Sequence, residues 1–290
     1  MTFLKRDIDV SFKLQKGGFG SGFEDTATYS GLRCEVSVNN VSGASLNSLQ
    51  MRVYGMQESS MNKLSTLGVS VMETDRNIIT VTASNSFGGM TQVFQGTIVK
   101  AWIDYRGAPE VSLNVEAAAG YYEQVKAVGV NSYKGSTDVA TIIESLAKSI
   151  DFAFTNNGVS AKLDSPYLAG SAITQIKSCA QHAGIAYDIS NGSVQIWPSG
   201  ESKDDVSLML SPETGLVGYP VFSNIGIDVQ SEFNADISLG RRIQVRSSIP
   251  QACGDEWFCK VVRHELASQV VNGPWFTYAQ LAKKGWYVAK

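Results

Sequence analysis

Between Leu46 and Ala119 the chain alternates apolar and polar side chains with a period of two, segment after segment. SLQMRVYGM sets Leu49, Met51 and Val53 against Gln50, Arg52 and Tyr54, and VSLNVEAAA sets Val111, Leu113, Val115 and Ala117 against Ser112, Asn114 and Glu116. Neighbouring side chains of a strand point to opposite faces, so these segments predict half-buried strands. A slip of one residue would turn each apolar set into water, which fixes the register. IDVSFKL (8–14) carries the same pattern through Ile8, Val10, Phe12 and Leu14, and RCEVSVNNV through Cys34, Val36 and Val38. NIITVTAS and TQVFQGTIVKAWI continue the strands. One short helix interrupts them in SSMNKLSTLG, with Ser59 or Ser60 as cap, Met61 and Leu64 on one face and Gly68 as stop. About six strands with one helix predict a small closed or nearly closed barrel over residues 1–119.

The first strand breaks at KGGFGSGFEDTATYSG, read as a long glycine-rich loop. A phosphate cradle needs a helix directly after its glycines; here Glu24 and Asp25 follow and would repel phosphate. The expectation is instead a protruding arm that meets a neighbouring subunit. Phe19 and Phe23 are its candidate contacts, since apolar side chains in such a segment need cover.

Residues 120–199 change character. STDVATIIESLAKSI places Val139, Ile142, Ile143, Leu146 and Ile150 at helical spacing after Ser136 or Thr137 as cap. A strand follows in DFAFTNNG, turning at Asn157-Gly158. A second helix, SAITQIKSCAQHAG, runs from a Ser171 cap to a Gly184 stop with Ile173, Ile176, Ala180 and Ala183 inward. Asn191-Gly192 then marks a tight hairpin. This is a small α+β domain.

GESKDD (200–205) reads as a polar connector, and residues 200–290 as a second β-barrel domain. Ile225, Ile227 and Val229 alternate, as do Ile243 and Val245, and Trp257, Cys259 and Val261 are placed on one face. The C-terminal stretch holds Trp275, Phe276, Tyr278, Trp286 and Tyr287. So many aromatics near a terminus predict docking, with Trp275 and Phe276 as candidate subunit contacts.

Catalytic groupings are sparse. His182 falls late in the second helix, where a cation complements the C-terminal end. His264 stands in VVRHELA without the second histidine of a His-Glu-x-x-His zinc site. Asp204-Asp205 and Asp255-Glu256 are neighbours whose side chains diverge, expected in solvated turns. No GxSxG elbow supports nucleophilic chemistry. Cys34, Cys179, Cys253 and Cys259 lack zinc-ribbon spacing and are expected as buried thiols, with a Cys253–Cys259 bridge the lesser alternative. A formal net charge of −3 with no basic run excludes tight phosphate binding. MTFLKRDIDV predicts neither a secretory signal nor a membrane anchor. No cofactor or metal is expected.

In sequence order, a strand, a glycine-rich loop, further strands, YGMQESSMNKL, a strand containing QGTI and another begun by APEVSL resemble the tube domain of the central baseplate hub proteins of contractile-tailed phages. The motifs carry weight only as an ordered set. The resemblance implies a non-enzymatic virion protein made in the host cytoplasm: mostly β, with two tail-tube-like barrels flanking the small α+β domain. It further implies a homotrimer whose six barrels match a hexameric tail tube above a trimeric spike, with DNA passing through the bore. The alternatives are another tail-tip or secretion-system part with the same barrel, and a carbohydrate-binding or hydrolytic β protein using Trp257, Trp275 and Trp286.

Overall fold

A computed structural model describes residues 6–19, 24–43, 45–65, 75–85 and 89–283. The first part of the chain forms β1 (Ile8–Lys13), β2 (Thr26–Tyr29), β3 (Cys34–Val41), β4 (Ser48–Tyr54), α1 (Glu58–Leu64), β5 (Ile78–Ser84), β6 (Met90–Asp104) and β7 (Ser112–Ala118). The alternation is realised. Ile8, Val10, Phe12, Val38, Val53 and Leu113 are fully buried, and Leu49, Met51 and Val115 nearly so. The segment read as one long loop contains β2, which pairs with β1 from Val10↔Tyr29 to Lys13↔Thr26. α1 buries Met61 and Leu64 as expected, but Gln57 is its N-cap residue and makes no side-chain cap bond. Gly68 lies outside the described residues.

The middle part forms α2 (Tyr121–Val125), β8 (Asn131–Ser132), β9 (Ser136–Asp138), α3 (Val139–Ser149), β10 (Ala153–Asn156), β11 (Lys162–Asp164), β12 (Tyr167–Leu168), α4 (Ala172–Ala183), β13 (Ile185–Ser190) and β14 (Ser193–Pro198). α3 and α4 share a core with β13 and β14, built on Ile142, Ile143, Ile173, Ile176, Val194 and Ile196. Ser136 and Thr137 lie in β9, so the cap of α3 falls to Asp138, whose carboxylate accepts from Ala140 N at 2.8 Å. Ser171 and Gly184 bound α4 as the sequence predicts, and the β13–β14 turn places Asn191 at φ 50° and Gly192 at φ 71°.

The last part forms β15 (Ser207–Leu210), β16 (Leu216–Ser223), β17 (Gly226–Glu232), β18 (Arg242–Val245), β19 (Gly254–Ser268) and β20 (Trp275–Lys283). Trp257 and Cys259 face inward, but the register slips between Cys259 and Val261. This bulge moves Val262, His264 and Leu266 to the core face and leaves Val261 half-buried, correcting the simple alternation. Asp255 and Glu256 lie within β19 rather than in a turn, with Asp255 2.6 Å from Arg246.

These first and last parts share one 13-stranded sheet, ordered β16-β17-β20-β19-β3-β4-β7-β6-β5-β1-β2, to which β18 adds on β19 and β15 on β18. No closed barrel is present among the described residues, against the expectation. The free edge of β3, which could have closed the first half, pairs instead with β19 from Val41↔Val261 to Cys34↔Ser268. Each half also repeats the other. The order β3-β4-β7-β6-β5-β1 is matched by β16-β17-β20-β19-β18-β15, position for position. β6 and β19 are both 15 residues long and both bulge midway, between Ile98 and Lys100 and between Cys259 and Val261. The β1–β5 pair is antiparallel and the β15–β18 pair parallel, the one directional difference in the two ladders.

Candidate functional site

The β3–β19 seam holds the two halves together. Beneath it Leu266 of β19, Trp275 of β20 and Phe233 are buried in the core of the first half. Phe233 stacks edge-on against both Trp275 (5.7 Å) and His264 (5.4 Å). His264 Nδ1 lies 2.9 Å from Thr277 Oγ1, and burial takes its imidazole down to about 4. This histidine is therefore a neutral core group at working pH, on a strand rather than a helix. Among the described residues no group of three or more His, Cys, Asp or Glu could hold a metal ion.

All three parts meet around a polar cavity of about 140 Å³. Asn47, preceding β4, donates to Asp188 Oδ1 at 2.9 Å and to Ile189 O at 3.3 Å on β13. Ser190 Oγ donates to the other Asp188 oxygen at 2.7 Å. From the predicted connector Lys203 turns inward, donating to Ser238 Oγ at 2.9 Å; burial pushes its ammonium below the usual range while Asp188 holds it up. A polar connector was legible, but its buried lysine was not. The neighbouring Asp204 is ion-paired to Arg241 at 2.7 Å rather than left in solvent.

Opposite the cores, one face of the sheet is polar across both halves. Rows of cross-strand neighbours run from Lys100 through Glu116, Gln50, Ser37, Glu265 and Phe276 to Glu232. Two shallow hollows open on it, of about 490 Å³ around Trp102, Arg52 and Glu265 and about 580 Å³ around Tyr219, Arg263 and Tyr278. Three of its cations are tethered. Arg52 lies 3.9 Å from Glu35 and donates to Asn114 at 3.0 Å, Arg263 pairs with Glu265, and the Lys100 ammonium sits 4.6 Å from the Trp102 ring centroid.

The residues expected at subunit contacts fall in different places. Phe19 is half-buried and packs against the first core, with its N–H bonded to Glu24 O at 2.8 Å. Phe23 lies outside the described residues. Trp275 is buried in the seam with Arg6 over its ring, whereas Phe276 is half-exposed on the polar face. Trp257 and Trp275 are both buried and offer no stacking platform for a sugar; Trp286 lies outside the described residues. His182 occupies the last turn of α4 as predicted. The four cysteines are free thiols, three of them buried and Cys253 half-exposed, so the bridge is not formed.

Three solved structures share this architecture. The 43 kDa tail protein of prophage MuSo2 from Shewanella oneidensis superposes with a TM-score of 0.62 at 9% identity, covering 96% of this chain and 97% of that one. The tail protein from Neisseria meningitidis MC58 gives 0.63 at 11% identity, covering 96% and 97%. The E. coli c3393 protein, a type VI secretion component with structural similarity to the T4 tail proteins gp27 and gp5, gives 0.57 at 10% identity, covering 87% and 73%. At these identities the likeness shows the fold alone, one that phage tail proteins share with a type VI secretion component. Residues 24–279 match the family described as Baseplate hub gp41, and the chain belongs to that family. It is a structural component of the virion tail and not an enzyme. No curated protein sequence matches it. No helix among the described residues is long and apolar enough to cross a membrane.

Proposed function

We propose that three copies of this chain form the hub ring of a contractile baseplate, joining a hexameric tail tube to a trimeric spike and enclosing part of the DNA conduit. The observation that carries this reading is the repeated strand order of the two halves. A chain holding the same β unit twice lets three copies present six similar units, which is what a threefold part needs to meet a sixfold tube. In this reading residues 1–119 and 200–290 are the two tube-like domains and 120–199 the domain between them. Trp102, Asn114 and their row would then face the bore.

The polar sheet face supports a conduit that does not hold its cargo. Glu35, Asp104, Glu116, Asp228, Glu232 and Glu265 stand against Arg52, Lys100 and Arg263, each cation already engaged by a neighbour. Free cations would bind phosphate by releasing counterions and slow the passage of DNA. Mass photometry of the purified chain tests the assembly: a species of three times the chain mass that captures a tube protein supports it, and a monomer at all concentrations refutes it. Likeness to a secretion-system protein keeps a contractile secretion hub as the second reading, for which a secretion tube protein would be the one captured.

A further inference from the structure

Each half of the sheet uses a different edge in the seam: the first half gives β3, its first repeat strand, and the second gives the later half of β19. The structure leaves the counterpart edges at hand. β16, equivalent to β3, ends the sheet with β17 as its one strand partner among the described residues. Trp102–Asp104 of β6, equivalent to Arg263–Glu265 of β19, are paired to β7 and to no other strand among the described residues. We infer that β16 of one copy pairs antiparallel with Trp102–Asp104 of the next, repeating between copies the junction that β3 and β19 make within one. The inference rests on the proposed ring and names its contact.

The register follows from the repeat. In the seam Ser37, Val38 and Asn39 face Glu265, His264 and Arg263. Carried through the ladders onto the other edges, these become Val221, Phe222 and Ser223 facing Asp104, Ile103 and Trp102. The telling residue is Phe222. Its counterpart Val38 is fully buried beneath the seam, whereas Phe222 points to the same core side and is 54% exposed. An aromatic ring left wet at a core position marks a missing neighbour, and Ile103 of the next copy would supply it. Val221 (62%) extends the apolar edge on the other face. Pro220, Gly218 in the left-handed region and the bulge between Val217 and Val221 confine pairing to this short stretch and guard the remainder against indiscriminate strand addition.

Two variants of the full chain test the contact. Trp102→Cys combined with Ser223→Cys should give covalent trimers on non-reducing gels after mild oxidation, and the register-shifted Trp102→Cys with Phe222→Cys should give far fewer. Phe222→Asp should weaken self-association, raising the dissociation constant at least tenfold, with thermal unfolding of the monomer unchanged. If the chain forms trimers but the first pair fails to cross-link and Phe222→Asp assembles normally, the strand pairing is wrong and the ring stands. If neither the parent chain nor any variant leaves the monomer, ring and pairing fall together.

Discussion

Asn47 and Asp188, 141 residues apart, are joined by a 2.9 Å hydrogen bond in which the amide of the first half donates to the carboxylate of the middle part. The same amide donates to Ile189 O, and its Oδ1 accepts from Val41 N at 3.3 Å. Asn47→Ala strands a buried carboxylate oxygen and two backbone groups. It should cost about 2 kcal/mol in urea unfolding, the scale of unsatisfied buried polar groups. Faster amide exchange should concentrate in β13 and at the end of β3.

His264 makes stability depend on pH. Its folded pKa is lowered from 6.5 to about 4, so between those values the unfolded chain binds a proton that the folded chain refuses. Its contribution is intact above 6.5 and is lost as the pH falls towards 4. At pH 5 this amounts to about 2 kcal/mol. Stability curves at pH 7.5 and 5 should converge by that amount in His264→Gln, whose amide retains a polar contact to Thr277.

Gly240 packs flat against Trp197. A Cβ there would lie 2.6 Å from the indole and 3.1 Å from Lys203 Cβ, on a backbone at φ 75°. Gly240→Ala therefore strains both backbone and packing where the middle part meets the last half. A loss of roughly 2–4 kcal/mol is expected, read as a lower Tm and increased Trp fluorescence change at low denaturant.

The polar sheet face should ignore DNA. Fluorescence anisotropy with a duplex at physiological salt should place the Kd above about 10⁻⁴ M, the weak end of non-specific binding. Glu116→Lys with Glu265→Lys adds cations in the middle of the face and frees Arg263. Measurable, strongly salt-dependent binding should follow, and unchanged weak binding would remove this face from the argument for the conduit.

Strand positions were legible because alternation is a local signal: Leu49, Met51 and Val53 announce their face without help from distant residues. The caps of α1 and α3 were misplaced by one to three residues because several polar side chains compete there and only backbone geometry chooses Asp138. Two like units were expected, but their residue-by-residue correspondence was illegible for a different reason. Equivalent positions hold unlike residues, Ile103 against His264 and Val38 against Phe222, so only the pairing order exposes it. Closure of the first half was expected because six alternating strands favour it, and nothing local says that β3 will prefer a partner more than 200 residues away. Bulges are equally silent, which is why Val261 was assigned the wrong face.

The seam also sets a timetable. Cys34 N bonds Ser268 Oγ across 234 residues of sequence, and Leu266 and Trp275 complete a core whose other members lie almost wholly before residue 120. During synthesis from the N-terminus that core therefore waits, unsealed, until Trp275 has left the ribosome. Emergence of β20, rather than of the first domain, is the earliest moment at which a copy is fit to meet another.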